Sequence, residues 1–166
     1  SLNNIRVQTE ESADYSFSTV LFTNAFNDLN GNNLNAITIE SLPEHGQLFI
    51  GNQEINNQFI ISNTLIPASQ LAALRYVPAP LYNGEDEFHW NARDAEGFSA
   101  NAAQVSITIE PVNQAPELTF PANADVEEDT PTVIAGINVN DPDLENLRVS
   151  LVTENGTLLI SQNIID

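Results

Sequence analysis

Val105-Ser106-Ile107-Thr108-Ile109 alternates apolar and polar side chains without a break. A period of two puts every second side chain on the same face, so this run reads as a strand with one face buried and one in solvent. The same alternation occurs upstream in Phe88-His89-Trp90-Asn91-Ala92 and again in Ala36-Ile37-Thr38-Ile39. Helical periodicity is nearly absent. Its one instance is Pro67-Ala68-Ser69-Gln70-Leu71-Ala72-Ala73-Leu74, which reads as a one-turn connector leading into the strand-like Leu74-Arg75-Tyr76-Val77. Turn-forming pairs separate the runs at Asn30-Gly31, His45-Gly46, Gly51-Asn52, Asn83-Gly84, Glu96-Gly97 and Asn155-Gly156. Many short strands at this spacing predict an all-β sandwich of about seven strands.

The chain also repeats itself. Pro43-Glu44-His45-Gly46-Gln47-Leu48-Phe49-Ile50 aligns with Thr153-Glu154-Asn155-Gly156-Thr157-Leu158-Leu159-Ile160 at an offset of 110. Asn27-Asp28-Leu29-Asn30-Gly31-Asn32-Asn33-Leu34 aligns with Asn140-Asp141-Pro142-Asp143-Leu144-Glu145-Asn146-Leu147 at 113, and Glu10-Glu11 with Glu127-Glu128 at 117. The drifting offset means small loop insertions in the first copy, which surface loops tolerate at low entropic cost. The landmarks recur in one order, the mark of tandem repeats. The expected layout is a leader over 1–6, a complete repeat over 7–111, a linker over 112–116 and the first half of a second repeat over 117–166. Half a sandwich leaves a sheet face and an edge uncovered, so 117–166 is expected to pack on another chain or be held by the first repeat. The chain is expected to begin and end inside a longer protein.

Acidic residues number 23 against 4 basic ones, all arginine (Arg6, Arg75, Arg93 and Arg148), giving a formal charge of -19. Such a charge repels phosphate backbones and anionic headgroups, which argues against nucleic acid and membrane surfaces as partners. It favours multivalent cations. There is no cysteine, so disulfides and thiolate metal sites are excluded. No apolar run approaches the roughly 20 residues of a membrane-spanning helix, and Ser1 does not open a signal peptide.

Val112-Asn113-Gln114-Ala115-Pro116, Glu127-Glu128-Asp129-Thr130 and Asn140-Asp141-Pro142-Asp143 together resemble the linker and opening of bacterial cadherin-like tandem repeats. In the first repeat Leu42-Pro43-Glu44-His45-Gly46-Gln47-Leu48, Leu71-Ala72-Ala73-Leu74-Arg75-Tyr76-Val77-Pro78, Asn83-Gly84-Glu85-Asp86-Glu87-Phe88 and Arg93-Asp94-Ala95-Glu96-Gly97 follow the same pattern. The resemblance covers essentially the whole chain and rests on the order and spacing of individually weak motifs. It implies a Greek-key, immunoglobulin- or cadherin-like β-sandwich with Ca2+ between successive repeats. It also implies an extracellular or cell-surface location, and adhesion or spacing as the function. The partners it implies are neighbouring repeats, homotypic or strand-swapped contacts, and polysaccharide. Where the family's linker carries Asp this chain has Gln114, which removes one charge from the expected site.

Calcium takes six to eight oxygen ligands, and loops at sandwich ends can supply them. On the cadherin arrangement the ligands at the junction would be Glu11, members of the Glu85-Asp86-Glu87 group, then Glu110, Asn113 and Gln114, with Asp141 and Asp143 from the second repeat. A half-site at the opposite end of the first repeat would use Asp28, Asn30 and Asp94. Carboxylates about 4 Å apart repel by about 4 kcal/mol per pair at an effective dielectric of 20, so such a cluster assembles around a cation. The plainer reading is that acidic loops on an acidic protein are solvated, and Asp141-Pro142-Asp143 is explained equally well as a turn.

Other chemistries find little support. Asp28-Leu29-Asn30-Gly31-Asn32 begins like an EF-hand loop, but its sixth position is Asn33 and its twelfth Ile39. His45 and His89 have no second histidine or cysteine nearby and read as exposed surface. No nucleophile elbow, phosphate loop or dinucleotide fingerprint occurs, and a paired-carboxylate glycosidase site lacks a cleft-forming insertion. The chain is therefore expected not to be an enzyme. Asn155-Gly156-Thr157 satisfies the glycosylation sequon, though a turn explains it as well. Trp90, in phase with Phe88 and Ala92, reads as core rather than as a sugar platform. A carbohydrate-binding module is the second functional reading, favoured if aromatics line one exposed sheet face.

Overall fold

In the computed structural model, which describes residues 1–143 and 146–160, the first alternating run lies in strand β9 (Ala103–Glu110). Ala103, Val105, Ile107 and Ile109 are all buried, and the intervening side chains are not. β9 pairs antiparallel with β8 (Gly84–Arg93) and parallel with β1 (Ile5–Glu10). β3 (Ala36–Ile39) and the two-residue β6 (Ile66–Pro67) complete a sheet in the order β1-β9-β8-β3-β6. The second sheet is β2-β7-β4-β5, made of β2 (Tyr15–Ser16), β7 (Leu74–Pro78), β4 (Gly46–Ile50) and β5 (Gln53–Ile55).

The two sheets share one core, with Trp90, Phe88, Val105 and Ile107 from the first and Leu48, Ile55, Leu74 and Tyr76 from the second. The chain crosses between sheets repeatedly, as sequence neighbours such as β3 and β4 lie in different layers. The fold is thus the expected all-β sandwich. It has nine short strands rather than about seven, the surplus being the two-residue β2 and β6.

Two helices were not foreseen. α1 (Thr19–Ala25) is under two turns long and buries only Phe22 and Ala25, too few positions to write a 3.6-residue pattern. Phe22 packs edge-on against Trp90, ring centroids 5.1 Å apart. α2 (Asn57–Ile61) starts at Asn56, whose side chain accepts from the Phe59 N–H at 3.2 Å, an N-cap. The expected connector is a 3-10 helix over Ala68–Ala73 with Leu71 buried, and it runs directly into β7.

The chain divides into two units, Ser1–Val112 and Asn113–Asp166. The first holds the sandwich. In the second, β10 (Glu117–Thr119) pairs antiparallel with β11 (Asn138–Asn140), and most of the other described residues are exposed. Leu158 is 42% exposed where its counterpart Leu48 is fully buried, and Leu159 is 88% exposed. Of the expected second repeat over 117–166, Leu144-Glu145 and residues 161–166 lie outside the described residues.

Candidate functional site

The two glutamates that open the first repeat differ in environment. Glu10 is exposed and stands opposite Glu110 in the β1–β9 register. Glu11 is only 5% exposed. Its backbone N–H donates to the Glu110 carbonyl at 2.8 Å, and its Oε2 accepts from the Val112 N–H at 3.3 Å. Among the described residues the only salt bridge is Arg75–Asp14, so no basic side chain is recorded against Glu11. A buried carboxylate with one long hydrogen bond is costly unless a further partner supplies positive charge. Glu110 is exposed and accepts from the Gln8 side-chain amide at 3.1 Å.

In the second unit, Gln114 and the two aspartates come together. The Gln114 N–H donates to the Asp143 carboxylate, and the Asp143 N–H donates to Asp141 Oδ1 at 3.0 Å. Asn113 is exposed and donates through its amide to the Gln114 carbonyl at 3.2 Å. Of the expected junction ligands, Glu11 and Glu110 thus lie in the first unit, joined through backbone, and Asn113, Gln114, Asp141 and Asp143 lie in the second.

The Glu85-Asp86-Glu87 group splits by strand alternation. Glu85 and Glu87 lie on the outer face of β8, where Glu85 accepts from Thr108 at 2.9 Å and Glu87 from the Gln104 amide. Asp86 points inward and is 6% exposed. Its carboxylate accepts from the backbone N–H groups of Glu44 (2.9 Å), His45 (3.0 Å) and Glu87 (2.9 Å), and from the Tyr76 hydroxyl at 2.7 Å. Four donors fill the acceptor sites of a carboxylate. Asp86 thus ties the Glu44-His45 loop to β7 and β8, and its lone pairs are committed to the protein. The signal was available in the sequence: Asp86 shares the inward phase of Phe88, Trp90 and Ala92.

At the opposite end, Asp28 Oδ2 accepts from the N–H groups of Asn30 (3.2 Å) and Asn32 (2.8 Å), and Asp94 Oδ1 accepts from those of Glu96 (2.8 Å) and Gly97 (2.9 Å). Each aspartate closes its own turn. The Asn30 amide bridges the two loops to Glu96 Oε2 at 3.0 Å, and Asp28, Asp94 and Glu96 border a cavity of about 440 Å³. The half-site residues are thus brought together, with Glu96 as an addition the sequence reading missed.

Among the described residues, no three carboxylate or imidazole groups converge closely enough to hold a metal ion. Of the residues expected to bind calcium, Glu11 is buried with a single hydrogen bond to its carboxylate, whereas the acceptor positions of Asp86 are filled by four donors from the protein. No helix of the described residues is long and apolar enough to cross a membrane.

Both histidines are half-buried rather than exposed. Ser41 Oγ lies 3.0 Å from His89 Nδ1 and also accepts from the His89 N–H at 2.9 Å. The His45 ring stacks on Tyr82 at 4.1 Å with 13° between planes. Desolvation raises the Tyr82 phenol above its ordinary pKa, and Asp86, Glu44 and Glu85 add to the shift. Tyr76 is pushed up further, first by burial and then by its hydrogen bond to Asp86 and that carboxylate's charge.

The chain matches no model of a known protein family, and a search of curated proteins finds no significant match.

Proposed function

We propose that the chain is a calcium-stiffened structural and adhesive repeat of a large extracellular bacterial surface protein, similar to cadherin-like repeats. In this role it holds a distal binding domain away from the cell. The observation that carries the reading is Glu11, a carboxylate buried to 5% exposure beside Val112 with a single hydrogen bond and no basic partner among the described residues. Gln114, Asp141 and Asp143 supply a second oxygen-rich group just beyond the boundary between the units. With 23 acidic residues against 4 arginines, few basic side chains exist to neutralise these groups. A divalent cation bound at Glu11 would offset the desolvation of that carboxylate, and one bound at Asp141 and Asp143 would offset their mutual repulsion. The proposed stiffening is lost when calcium is removed.

The test is small-angle scattering of the full chain in EDTA and in millimolar calcium. The proposal expects a narrower distribution of interatomic distances with calcium, and expects Glu11→Gln to abolish that narrowing. Identical distributions with and without calcium would rule it out.

A further inference from the structure

The pair Asn-Gly occurs at Asn30-Gly31, Asn83-Gly84 and Asn155-Gly156. It has a chemistry of its own. The backbone nitrogen that follows an asparagine can attack the side-chain carboxamide, and when that nitrogen belongs to glycine no Cβ obstructs the approach. The three pairs are equal in sequence, so the surroundings of each carboxamide and each glycine N–H decide between them.

Asn30 is held at both ends. Its backbone N–H donates to Asp28 Oδ2 at 3.2 Å, and its carboxamide donates across the loops to Glu96 Oε2 at 3.0 Å. The attacking group is engaged as well, since the Gly31 N–H donates to the Asp28 carbonyl at 3.3 Å. At Asn83 the glycine is the constraint. Gly84 opens β8 and pairs with Ile109 of β9, so its nitrogen must leave the sheet register to reach the side chain.

Asn155 meets neither obstacle. Asn155 and Gly156 are both exposed and lie outside any helix or strand. Among the described residues neither the Asn155 carboxamide nor the Gly156 N–H has a hydrogen-bond partner; the turn's own bond runs from Thr153 Oγ1 to the Asn155 carbonyl at 3.1 Å. The aligned turn of the first unit is His45-Gly46, where the His45 N–H is tied to buried Asp86 and Gly46 packs against Tyr76. Histidine has no carboxamide, so the packed turn is immune to the reaction and its exposed counterpart is not.

We propose that Asn155 is a site of spontaneous deamidation to aspartate and isoaspartate, and that Glu96 protects Asn30 from the same change. The Gly156 nitrogen gives up its proton and bonds to Asn155 Cγ, the Cγ–Nδ2 bond breaks, and ammonia leaves a cyclic imide behind. Water, the co-reactant, then opens the imide without oxidation or reduction. Cleavage between nitrogen and Cγ gives aspartate. Cleavage between nitrogen and the main-chain carbonyl carbon gives isoaspartate, with the backbone rerouted through Cβ and Cγ. The turn thus gains a carboxylate next to Glu154 and, in the isoaspartyl product, an extra methylene in its main chain. The reaction at Asn155 uses no group assigned to calcium, so its outcome is separate from that reading.

The experiment incubates the full chain in EDTA at neutral pH, in water enriched in heavy oxygen so that only conversions during the incubation are marked. Peptide mass spectrometry reads each asparagine, and methylation by an isoaspartyl methyltransferase counts the isoaspartyl product. Asn155 should convert first. Asn30 should convert roughly tenfold more slowly, the effect of opening two hydrogen bonds of which one is to a carboxylate. Glu96→Ala, at an exposed position, should speed Asn30 several-fold, whereas Glu96→Gln, which keeps an acceptor at the same reach, should leave it slow. Gly156→Ala should slow Asn155 sharply. The proposal is overturned if Asn155 stays unconverted, if Asn30 or Asn83 converts as fast as Asn155 in the parent, or if Glu96→Ala and Glu96→Gln give Asn30 one common rate.

Discussion

Replacing Gly46 by alanine sets a methyl group against the ring of Tyr76. A Cβ at position 46 falls 2.3 Å from Tyr76 Cε2, 2.4 Å from Cζ and 2.5 Å from the hydroxyl oxygen. Contacts this short do not exist in folded proteins, so either the ring or the strand must move. The ring has little freedom, because Tyr76 is fully buried and its hydroxyl bonds Asp86 at 2.7 Å. Overpacking of this kind costs about 1–3 kcal/mol. Displacing the hydroxyl also takes one of the four donors from buried Asp86, and a hydrogen bond to a charged group is worth about 1.5–3 kcal/mol. Together the substitution should destabilise the sandwich by about 3–5 kcal/mol. In a domain of this size that lowers Tm by more than about 10 °C. The assay is a thermal melt by circular dichroism of Gly46→Ala, Tyr76→Ala and the double variant. If the clash is the cause, Gly46→Ala should cost almost nothing once Tyr76 is alanine, giving a large coupling in the double-mutant cycle. A Gly46→Ala protein that melts within about 2 °C of the parent, or additive effects in the cycle, would refute the reasoning.

Further outcomes follow from the same structure. Tyr76 has its folded-state pKa raised above the ordinary value near 10, so the neutral phenol's contribution is fully present below pH about 10 and is lost as pH rises beyond it. Melts from pH 8 to 11 should show stability falling above pH about 10, and Tyr76→Phe should fall less steeply; equal slopes would remove Tyr76 as the cause. Limited proteolysis should cut first within 113–160, where most described residues are exposed, and leave a resistant core ending near Val112. Early cuts inside 1–112 would contradict that order.

Much of the sandwich was legible because half-buried strands write their burial in alternation. Phe88, Trp90 and Ala92 and the partners Val105, Ile107 and Ile109 are buried as their phase requires. The same phase marks Asp86 as an inward residue, yet its carboxylate type suggested a surface ligand, and only the four donors around it reveal a structural anchor. Gly46 was read as half of a turn. It begins β4 instead, and its missing side chain is the space that Tyr76 fills, a tertiary requirement that local sequence cannot express. α1 was hidden because two buried positions in seven residues carry no period. The cadherin resemblance points to Glu11 as a ligand, but its burial depends on how β1 lies parallel to β9, a long-range pairing.

The most direct test of the central proposal, that a divalent ion compensates Glu11 and the other carboxylates without a basic partner among the described residues, is a thermal melt of the full chain in EDTA and in millimolar calcium. Sodium chloride of matched ionic strength serves as the screening control. At a calcium concentration about 100-fold over its dissociation constant, binding adds about 2.7 kcal/mol and raises Tm by several degrees beyond the salt control. Glu11→Gln should lose most of that gain. A parent protein that melts at the same temperature in calcium and in sodium chloride would contradict the account.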